Sequence, residues 1–109
     1  MEDTVDNLKI LKALANETRI KIIELLLEHN YCVKALAKRL DLTEATISQH
    51  LKILNDAGLL SKEKHGYFMH YCVNKAELIK FSKDIENLAK TNQKQCNNKE
   101  LCHNKDKNK

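Results

Sequence analysis

The chain has 109 residues, enough for one domain, and a formal net charge of +4 at pH 7. No apolar run approaches the length of a membrane span, and the acidic N-terminus lacks the features of a secretory signal, so we expect a cytoplasmic protein with no membrane partner. In that reducing compartment the four cysteines favour metal or redox chemistry over disulfide bonds. The mild basic excess permits nucleic-acid binding but does not argue for it alone.

The first part of the chain predicts two helices. Apolar residues at helical spacing give the first helix one apolar face, formed by Val5, Leu8, Leu11 and Leu14. Asn16 is placed to cap the second helix, which ends near residues 28–30. The apolar positions of this second helix are Ile20, Ile23, Leu26 and Leu27.

Two further helices follow, with only a short turn at residues 41–42 between them. The third helix has apolar positions at Val33, Leu36, Ala37 and Leu40. Thr43 is placed to cap the fourth helix, and Gly58 to end it. Its inward residues are predicted to be Ile47, Leu51 and Leu54. Two such helices around a tight turn are typical of a helix-turn-helix.

The segment after Gly58 predicts a two-stranded hairpin, because Gly66 separates two runs of β-favouring residues. In the second run, side chains that point to opposite faces alternate from Tyr67 onward. Asn74 and Glu77 have the spacing of a capping box and would open a last helix. That helix carries a narrow apolar stripe suited to packing on a helix of another subunit, namely Leu78, Phe81, Ile85 and Leu88.

The predicted fold is therefore mainly α with a small β-hairpin: a winged helix-turn-helix of five helices and a two-stranded wing, assembled as a homodimer. Residues 1–92 would form the DNA-binding and dimerisation domain. Residues 93–109 would form a polar, cysteine-containing C-terminal tail, because the apolar pattern ends near residue 92.

The fourth helix leaves a polar face for solvent or for a major groove. Glutamine can pair with adenine, and serine and threonine bond flexibly to bases or phosphate, while basic residues near the hairpin tip suit phosphate. The candidate DNA contacts are Thr43, Glu44, Ala45, Thr46, Ser48, Gln49, Lys52, Lys62, Lys64 and His65. The competing interpretation is an ordinary helix pair with a polar outer surface. His50 is predicted to be a hydrogen-bonded structural residue, His70 a strand surface residue, and Cys72 a packed or exposed thiol.

Residues 8–73 resemble the ArsR/SmtB family of winged-helix repressors. "LANETRIKII" resembles the opening of the family's DNA-binding domain, "ATISQHLKIL" followed by "AGLL" its recognition helix and exit, and "GYFMHY" its wing. The resemblance implies a homodimer built from the first and last helices, and a non-enzymatic repressor that leaves twofold-symmetric operator DNA when an inducer binds. By position, Glu44, Ala45, Ser48 and Gln49 fall where family members touch bases, and Glu44 stands where glutamine is frequent.

The family's ligand sites are incomplete in this sequence. One family site uses a "CVC" pair, but the chain reads "CVK", so Cys32 remains and Lys34 replaces the second thiol. Another uses aspartate and histidine on the last helix for zinc. The corresponding segment has Asp84 but no histidine, so that zinc site is not expected.

The tail offers other soft ligands, since Cys96, Cys102 and His103 lie close together in sequence. A break in the helix at residues 97–98 would let the two sulfurs converge, and Cys32 would supply a third if the tail folds back. Thiolates prefer thiophilic ions, so arsenite, antimonite, cadmium or lead are the candidate inducers. The sequence thus predicts a repressor released by a thiophilic metal or metalloid.

Alternatives to an ion sensor remain open. The tail thiols would be unused if the polar tail is simply disordered. A thiol-oxidation or persulfide sensor of the same fold would use Cys32 and a tail cysteine. A metal-buffering or partner-binding protein is the alternative from another class, although no C-x-x-C motif or apolar recognition face supports it.

Overall fold

The computed structural model describes residues 4–92 of the chain, with side chains from residue 6 onward. In that part, the predicted five helices and two-stranded hairpin are confirmed. The elements in order are α1 Thr4–Leu14, α2 Glu17–Glu28, α3 Val33–Leu40, α4 Glu44–Asp56, β1 Leu60–His65, β2 Phe68–Val73 and α5 Lys75–Ala89. None of these helices is both long and apolar enough to cross a membrane.

The two predicted caps of α2 and α4 are confirmed. Asn16 Oδ1 accepts a hydrogen bond from the Arg19 amide at 3.1 Å, and Thr43 Oγ1 accepts one from the Thr46 amide at 3.1 Å. Each bond satisfies an amide that the helix itself leaves unpaired. Asp41 ends α3 in the left-handed conformation, with a φ of 57°, and so sets the tight turn before α4.

The predicted capping box of α5 is wrong. The helix does begin after Asn74, but the Asn74 side chain makes no capping bond. Its Nδ2 instead donates to the Gly58 carbonyl at 3.3 Å, while its backbone amide donates to the Leu59 carbonyl at 2.8 Å. The Gly58 carbonyl just after α4 therefore accepts the hydrogen bond of this side chain. As a result, Asn74 links the start of α5 to the end of α4.

The core lies between α1, α2, α3, α4 and the base of the hairpin. Its largest fully buried side chains are Ile22, Leu36, Ile47, Leu51, Leu54 and Leu59. The inward face predicted for α4 is thus confirmed. In α2, Ile23 and Leu26 are buried as predicted, whereas Ile20 and Leu27 are exposed. A helix that buries Ile22 turns those two positions to the outside.

The face of α1 that packs on the core differs from the predicted one. Ile10, Ala13 and Asn7 are buried, whereas Leu8 and Leu11 of the predicted apolar face are about half exposed. Leu14 at the end of the repeat packs partly against the core, but Leu8 and Leu11 point away from it in the single chain. The exposed side chains of Leu8 and Leu11 are therefore available to pack on another molecule.

α5 packs only loosely on the rest of the chain. None of its residues is buried. Leu78 and Phe81 pack partly against the core, while Ile85 and Leu88 at the far end of the stripe are exposed. Asn7 Nδ2 of α1 donates to Asp84 Oδ2 of α5 at 3.2 Å, which links the first and last helices. A helix with so little burial gains little stability from its own chain.

β1 and β2 pair antiparallel from Leu60 opposite Val73 to His65 opposite Phe68. Gly66 and Tyr67 form the turn, so the prediction that Tyr67 begins the second strand is wrong. Gly66 has a φ of +64°, the left-handed conformation that such a two-residue turn requires. On its other edge, β2 pairs at His70 with Cys32, the residue before α3.

Candidate nucleic-acid interface

The N-terminal half of α4 presents a polar surface on a firmly anchored helix. Ile47, Leu51 and Leu54 are fully buried on its inner face, which fixes the rotation of the helix about its axis. The predicted contacts on the outer face, Glu44, Ala45, Ser48, Gln49 and Lys52, are all exposed. Burial and exposure thus divide this helix as a groove-reading helix requires.

The hydroxyls of Thr43 and Thr46 are partly committed to the helix start. Thr43 Oγ1 donates to Thr46 Oγ1 at 2.9 Å while it also accepts from the Thr46 amide. The Thr43 hydroxyl is therefore spent on capping, whereas the Thr46 hydroxyl still has a proton to donate outward. Lys52 Nζ lies 3.3 Å from Asp56 Oδ2, an exposed pair one helical turn apart.

Ser48 and Gln49 differ from Thr43, Thr46 and Lys52 in their side-chain contacts. Neither side chain forms a hydrogen bond with another residue in the range 4–92. Both are exposed on the first two turns of α4. They are consequently the side chains best placed to bond an outside ligand without first breaking a contact within the chain.

His50 lies on the same helix but faces the protein. Its Nδ1 lies 3.2 Å from Nη1 of Arg19. Burial, and next the positive charge of Arg19, lower the pKa of His50 below its ordinary 6.5. The ring is therefore neutral at pH 7, and because Arg19 can only donate, Nδ1 is the accepting nitrogen. The structural role predicted for His50 agrees with this contact.

Sequence reasoning missed Arg19, which sits behind the candidate interface. Its Nε donates to the Ala13 carbonyl at 2.6 Å, and its Nη2 to the Lys12 carbonyl at 3.3 Å. The guanidinium thus satisfies carbonyls at the end of α1 while it contacts α4 through His50. An arginine three residues after the cap Asn16 was the only sequence signal for this role.

The basic residues of the hairpin divide between its two faces. Lys62 and Lys64 lie opposite Tyr71 and Met69 in the register, on the same face as the buried Leu60. Both lysines are exposed, and neither forms an ion pair with another described residue. His65 belongs to the opposite face, where its ring centroid lies 4.9 Å from that of His70.

The outer face of the hairpin also holds Cys72 and its neighbour on β1. Cys72 Sγ donates to Glu63 Oε1 at 3.0 Å. That hydrogen bond, then burial and the Glu63 charge, raise the pKa of the Cys72 thiol. Cys72 is held as a thiol and is a poor nucleophile, in line with the packed or exposed role predicted for it.

His70 is more than the strand surface residue that was predicted. Its Nδ1 lies 2.6 Å from the Asn30 carbonyl oxygen, and its backbone pairs with Cys32. A carbonyl can only accept, so Nδ1 carries the proton. This contact attaches the wing to the segment that leads into α3.

The predicted metal ligands are not brought together within residues 4–92. Cys32 is a partly buried free thiol that precedes α3 and makes no capping bond. Asp84 accepts the hydrogen bond from Asn7. No group of three histidine, cysteine, aspartate or glutamate side chains in this range is arranged to hold a metal ion. Cys96 and Cys102 lie outside the described residues.

Residues 16–62 match the protein family described as "bacterial regulatory protein, arsR family". The transcriptional activator HlyU of Vibrio cholerae is 36% identical over 69 residues, 63% of this chain and 64% of that protein. The arsenical resistance operon repressor of Escherichia coli is 42% identical over 65 residues, 59% of this chain and 56% of that protein. The chain therefore spans less than two thirds of the length of these curated relatives.

Solved structures share the fold over a larger part of the chain. An ArsR-like transcriptional regulator from Rhodococcus superposes with a TM-score of 0.76 at 28% identity, covering 82% of this chain and 84% of that one. Reduced HlyU from Vibrio cholerae superposes with a TM-score of 0.65 at 30% identity, covering 80% of this chain and 92% of that one. The winged helix-turn-helix fold extends beyond the matched family segment into α5.

Proposed function

Because the chain belongs to the arsR family of bacterial regulatory proteins, we propose that it is a transcriptional repressor that binds twofold-symmetric operator DNA as a homodimer. Residues 1–92 would be the DNA-binding and dimerisation domain, and residues 93–109 a separate tail. The observation that carries the proposal is the outer face of α4. Ser48 and Gln49 are exposed there on a helix whose opposite face is fully buried.

α4 would lie in the major groove with its N-terminal residues toward the bases. Gln49 can bond both N6 and N7 of adenine, and Ser48 can donate or accept. Glu44 is exposed in the first turn and can accept a hydrogen bond from cytosine N4, but it repels phosphate. Lys62 and Lys64 on the wing supply the positive charge for backbone contacts.

The dimer would be built from α1 and α5. Leu8 and Leu11 on α1, and Ile85 and Leu88 on α5, leave apolar side chains in solvent at a place where the single chain does not cover them. The Asn7–Asp84 hydrogen bond holds these two helices side by side. A second copy that covers both helices would bury this surface and place two α4 helices about one turn of DNA apart.

Gln49→Ala and Ser48→Ala are each expected to weaken binding to the operator by about 1–3 kcal/mol, with a much smaller effect on random duplex DNA. The reason is that each removes hydrogen bonds to base edges. The measurement is fluorescence anisotropy on both duplexes at one salt concentration. Lys52→Ala is the control, since an exposed lysine near phosphate should affect both duplexes alike. Equal losses of affinity on the two duplexes for Gln49→Ala would show that Gln49 contacts the DNA backbone and not a base.

Activation of transcription is the second candidate, supported by the likeness to HlyU, which is described as an activator. Both activities require the same operator binding, so DNA affinity does not separate them. A reporter fused to the regulated promoter does. Loss of the protein raises reporter output if it represses and lowers the output if it activates.

We propose further that a thiophilic ion such as arsenite, antimonite, cadmium or lead releases the protein from DNA. The chemical preference of thiolates for soft ions supports this, as does the likeness to an arsenical resistance operon repressor. Cys32 by itself supplies one sulfur and has no partner ligands arranged around it in residues 4–92. The proposal therefore depends on Cys96 and Cys102 as the principal ligands, with Cys32 as a third.

A Cys96→Ser/Cys102→Ser chain is expected to bind the operator as tightly as the original chain and to stay bound when the ion is added. Since allosteric coupling is typically about 1–3 kcal/mol, the original chain should lose roughly 5–150-fold in operator affinity with the ion. The measurement is operator anisotropy during titration with each ion under strong reductant. Cys72→Ser is the matched control, because that thiol is bonded to Glu63 on the wing.

Two outcomes would redirect the proposal. Undiminished release from the double variant would exclude the tail as the sensor. Release that occurs only without reductant, with no effect of any ion, would favour the thiol-oxidation or persulfide sensor. If Cys32→Ser abolishes the release from DNA, the tail acts together with the start of α3. If the release is unchanged, the tail acts alone.

A further inference from the structure

A groove runs between α1 and the C-terminal half of α4. It has a volume of about 300 Å³, which is at the lower end of the range for small-molecule sites. None of the candidate DNA contacts lines this α1–α4 groove, so the proposed function gives it no role. Its lining residues are Lys9, Lys12, Ala13, Arg19, Ile53, Asp56 and Ala57.

The floor of the α1–α4 groove is apolar. Ala13 of α1 is buried there, and Ala57, directly after α4, is partly buried. Ile53 of α4 is 43% exposed, although the inward residues of the same helix are fully buried. An aliphatic side chain left partly in solvent gains free energy when an apolar group covers it. The floor therefore favours an occupant with an apolar body.

The rim of the α1–α4 groove is mainly cationic. Lys9 and Lys12 are exposed on one side of α1, and neither forms an ion pair with another described residue. Arg19 completes the rim and covers carbonyls at the end of α1, whose partial negative charge would otherwise repel an anion. Asp56 is the one carboxylate among the described lining residues, and Lys52 Nζ lies 3.3 Å from it. The rim therefore favours an anionic group.

The α1–α4 groove lies on a different side of α1 from the proposed dimer surface. Lys9 and Lys12 each follow one of the exposed leucines, Leu8 and Leu11, by one residue. Each lysine consequently points about 100° further round the helix than the leucine before it. A molecule in the groove would contact α1 and α4 of one chain and leave both leucines free for a second copy.

We propose that the α1–α4 groove binds a small organic monocarboxylate with an apolar tail of about six to eight carbons. The carboxylate lies between Lys9 and Lys12, and the tail covers Ile53. Because the groove and the reading residues Ser48 and Gln49 are on the same helix, an occupant that moves α4 relative to α1 also moves its reading end. The added negative charge opposes the phosphates, so the bound anion lowers operator affinity.

The test titrates the full chain with octanoate by calorimetry. We expect one site per chain with a Kd on the order of 0.1–1 mM. Octanamide has the same shape without the charge, and inorganic phosphate has charge without the tail. Each should bind at least about tenfold more weakly than octanoate. Saturating octanoate should lower operator affinity in fluorescence anisotropy by about tenfold, within the usual range of allosteric coupling.

A Lys9→Gln/Lys12→Gln chain should bind octanoate about tenfold more weakly, because it removes the charges that hold the carboxylate. Lys75→Gln/Lys83→Gln is the matched control. It removes two charges from exposed positions of α5, outside the groove, and should leave octanoate binding unchanged. Equal unfolding midpoints of the two double variants would show that both are folded.

The apolar floor has its own variant, Ile53→Ser, which should also weaken octanoate binding. Ile79→Ser makes the same change at an exposed isoleucine of α5 and should have no effect on octanoate. Equal octanoate affinities of these two variants would contradict a tail that lies on Ile53.

Several results would overturn the site itself. They are the absence of saturable octanoate binding, binding of octanamide or phosphate as tight as that of octanoate, and undiminished binding by the Lys9→Gln/Lys12→Gln chain. A change in oligomeric state caused by octanoate would place the ligand on the dimer surface instead.

The effect on the operator rests on the DNA-binding function proposed above, whereas calorimetry on the free chain does not. Unchanged operator affinity with octanoate bound would overturn the regulatory effect of the site. Octanoate binding by a chain that binds no operator at all would instead refute the DNA-binding function and leave the ligand site standing.

Discussion

A Leu88→Glu chain is expected to sediment as a monomer and to lose on the order of a hundredfold in operator affinity. Leu88 lies at the end of the α5 stripe and is 59% exposed in the single chain. If a second copy covers it, a carboxylate there would be buried without a partner, which costs several kcal/mol. A monomer holds only one half-site, so the affinity gained by engaging both half-sites is lost with the dimer.

Ile79→Glu is the control for this substitution. Ile79 is on the same helix, is similarly exposed at 55%, and lies off the stripe formed by Leu78, Phe81, Ile85 and Leu88. The same change in charge and size should therefore leave a dimer. Sedimentation at several protein concentrations gives the oligomeric state directly. A dimeric Leu88→Glu chain with full operator affinity would exclude this end of α5 from the interface.

Arg19→Leu is expected to lower the free energy of unfolding by about 2–4 kcal/mol. The change removes the Arg19 donor from the Ala13 carbonyl and the link to His50, while the Lys12 carbonyl keeps the Ala15 amide as a donor. Each bond from a charged group contributes about 1.5–3 kcal/mol. That is a large part of the stability of a domain of this size. The measurement is urea unfolding at a fixed protein concentration, because dimer formation also stabilises the fold.

Arg39→Leu makes the same substitution at an arginine that stacks on Tyr31. An exposed stacking contact of this kind contributes about 0.5–1 kcal/mol, so the loss should be clearly smaller. Equal losses in the free energy of unfolding from the two variants would show that the three contacts of Arg19 stabilise the fold no more than one surface interaction does.

The pH dependence of stability gives a second readout on Arg19. The pKa of His50 lies below 6.5 in the folded chain, so below pH 6.5 the unfolded chain binds the proton more readily and stability falls as the pH drops. Burial is the larger cause of the lowered pKa, and the Arg19 charge is the smaller one. Arg19→Leu should thus reduce, but not abolish, the loss of stability at low pH. His50→Asn should abolish the part of that loss that comes from His50.

Local signals in the sequence predicted the helix ends well where the competing groups were also local. Asn16 and Thr43 cap helices through amides three residues away, and both bonds are present. Asn74 has the same local pattern, but the Gly58 carbonyl, 16 residues earlier in the chain, takes its side chain. A pattern within four residues contains no information about such a competitor.

Apolar periodicity likewise identified a helical face without identifying what covers it. Leu8 and Leu11 repeat at helical spacing, yet the core side of α1 is formed by Ile10, Ala13 and the polar Asn7. Asn7 can be buried because Asp84 accepts its hydrogen bond. Helical spacing does not distinguish a face that packs on its own core from one that packs on another subunit.

The exposure of the candidate DNA contacts on α4 was predictable because the helix is amphipathic, with its polar positions clustered at the capped end. The residues behind that surface were not predictable, since Arg19 with His50, and His70 with Asn30, meet only in the folded chain. The separation of Lys62 and Lys64 from His65 follows from the strand register. The exact position of the hairpin turn, which sets that register, was not fixed by the sequence pattern.

The attachment of the wing to the segment before α3 has a mechanical consequence. The His70–Asn30 contact and the pairing of Cys32 with His70 join the wing to residues 30–32, so the hairpin is not a free arm. A displacement at Cys32 reaches β2 across a single backbone pairing, whereas it reaches α4 only through the whole length of α3. Tension applied at this thiol would therefore displace the wing before it displaces α4.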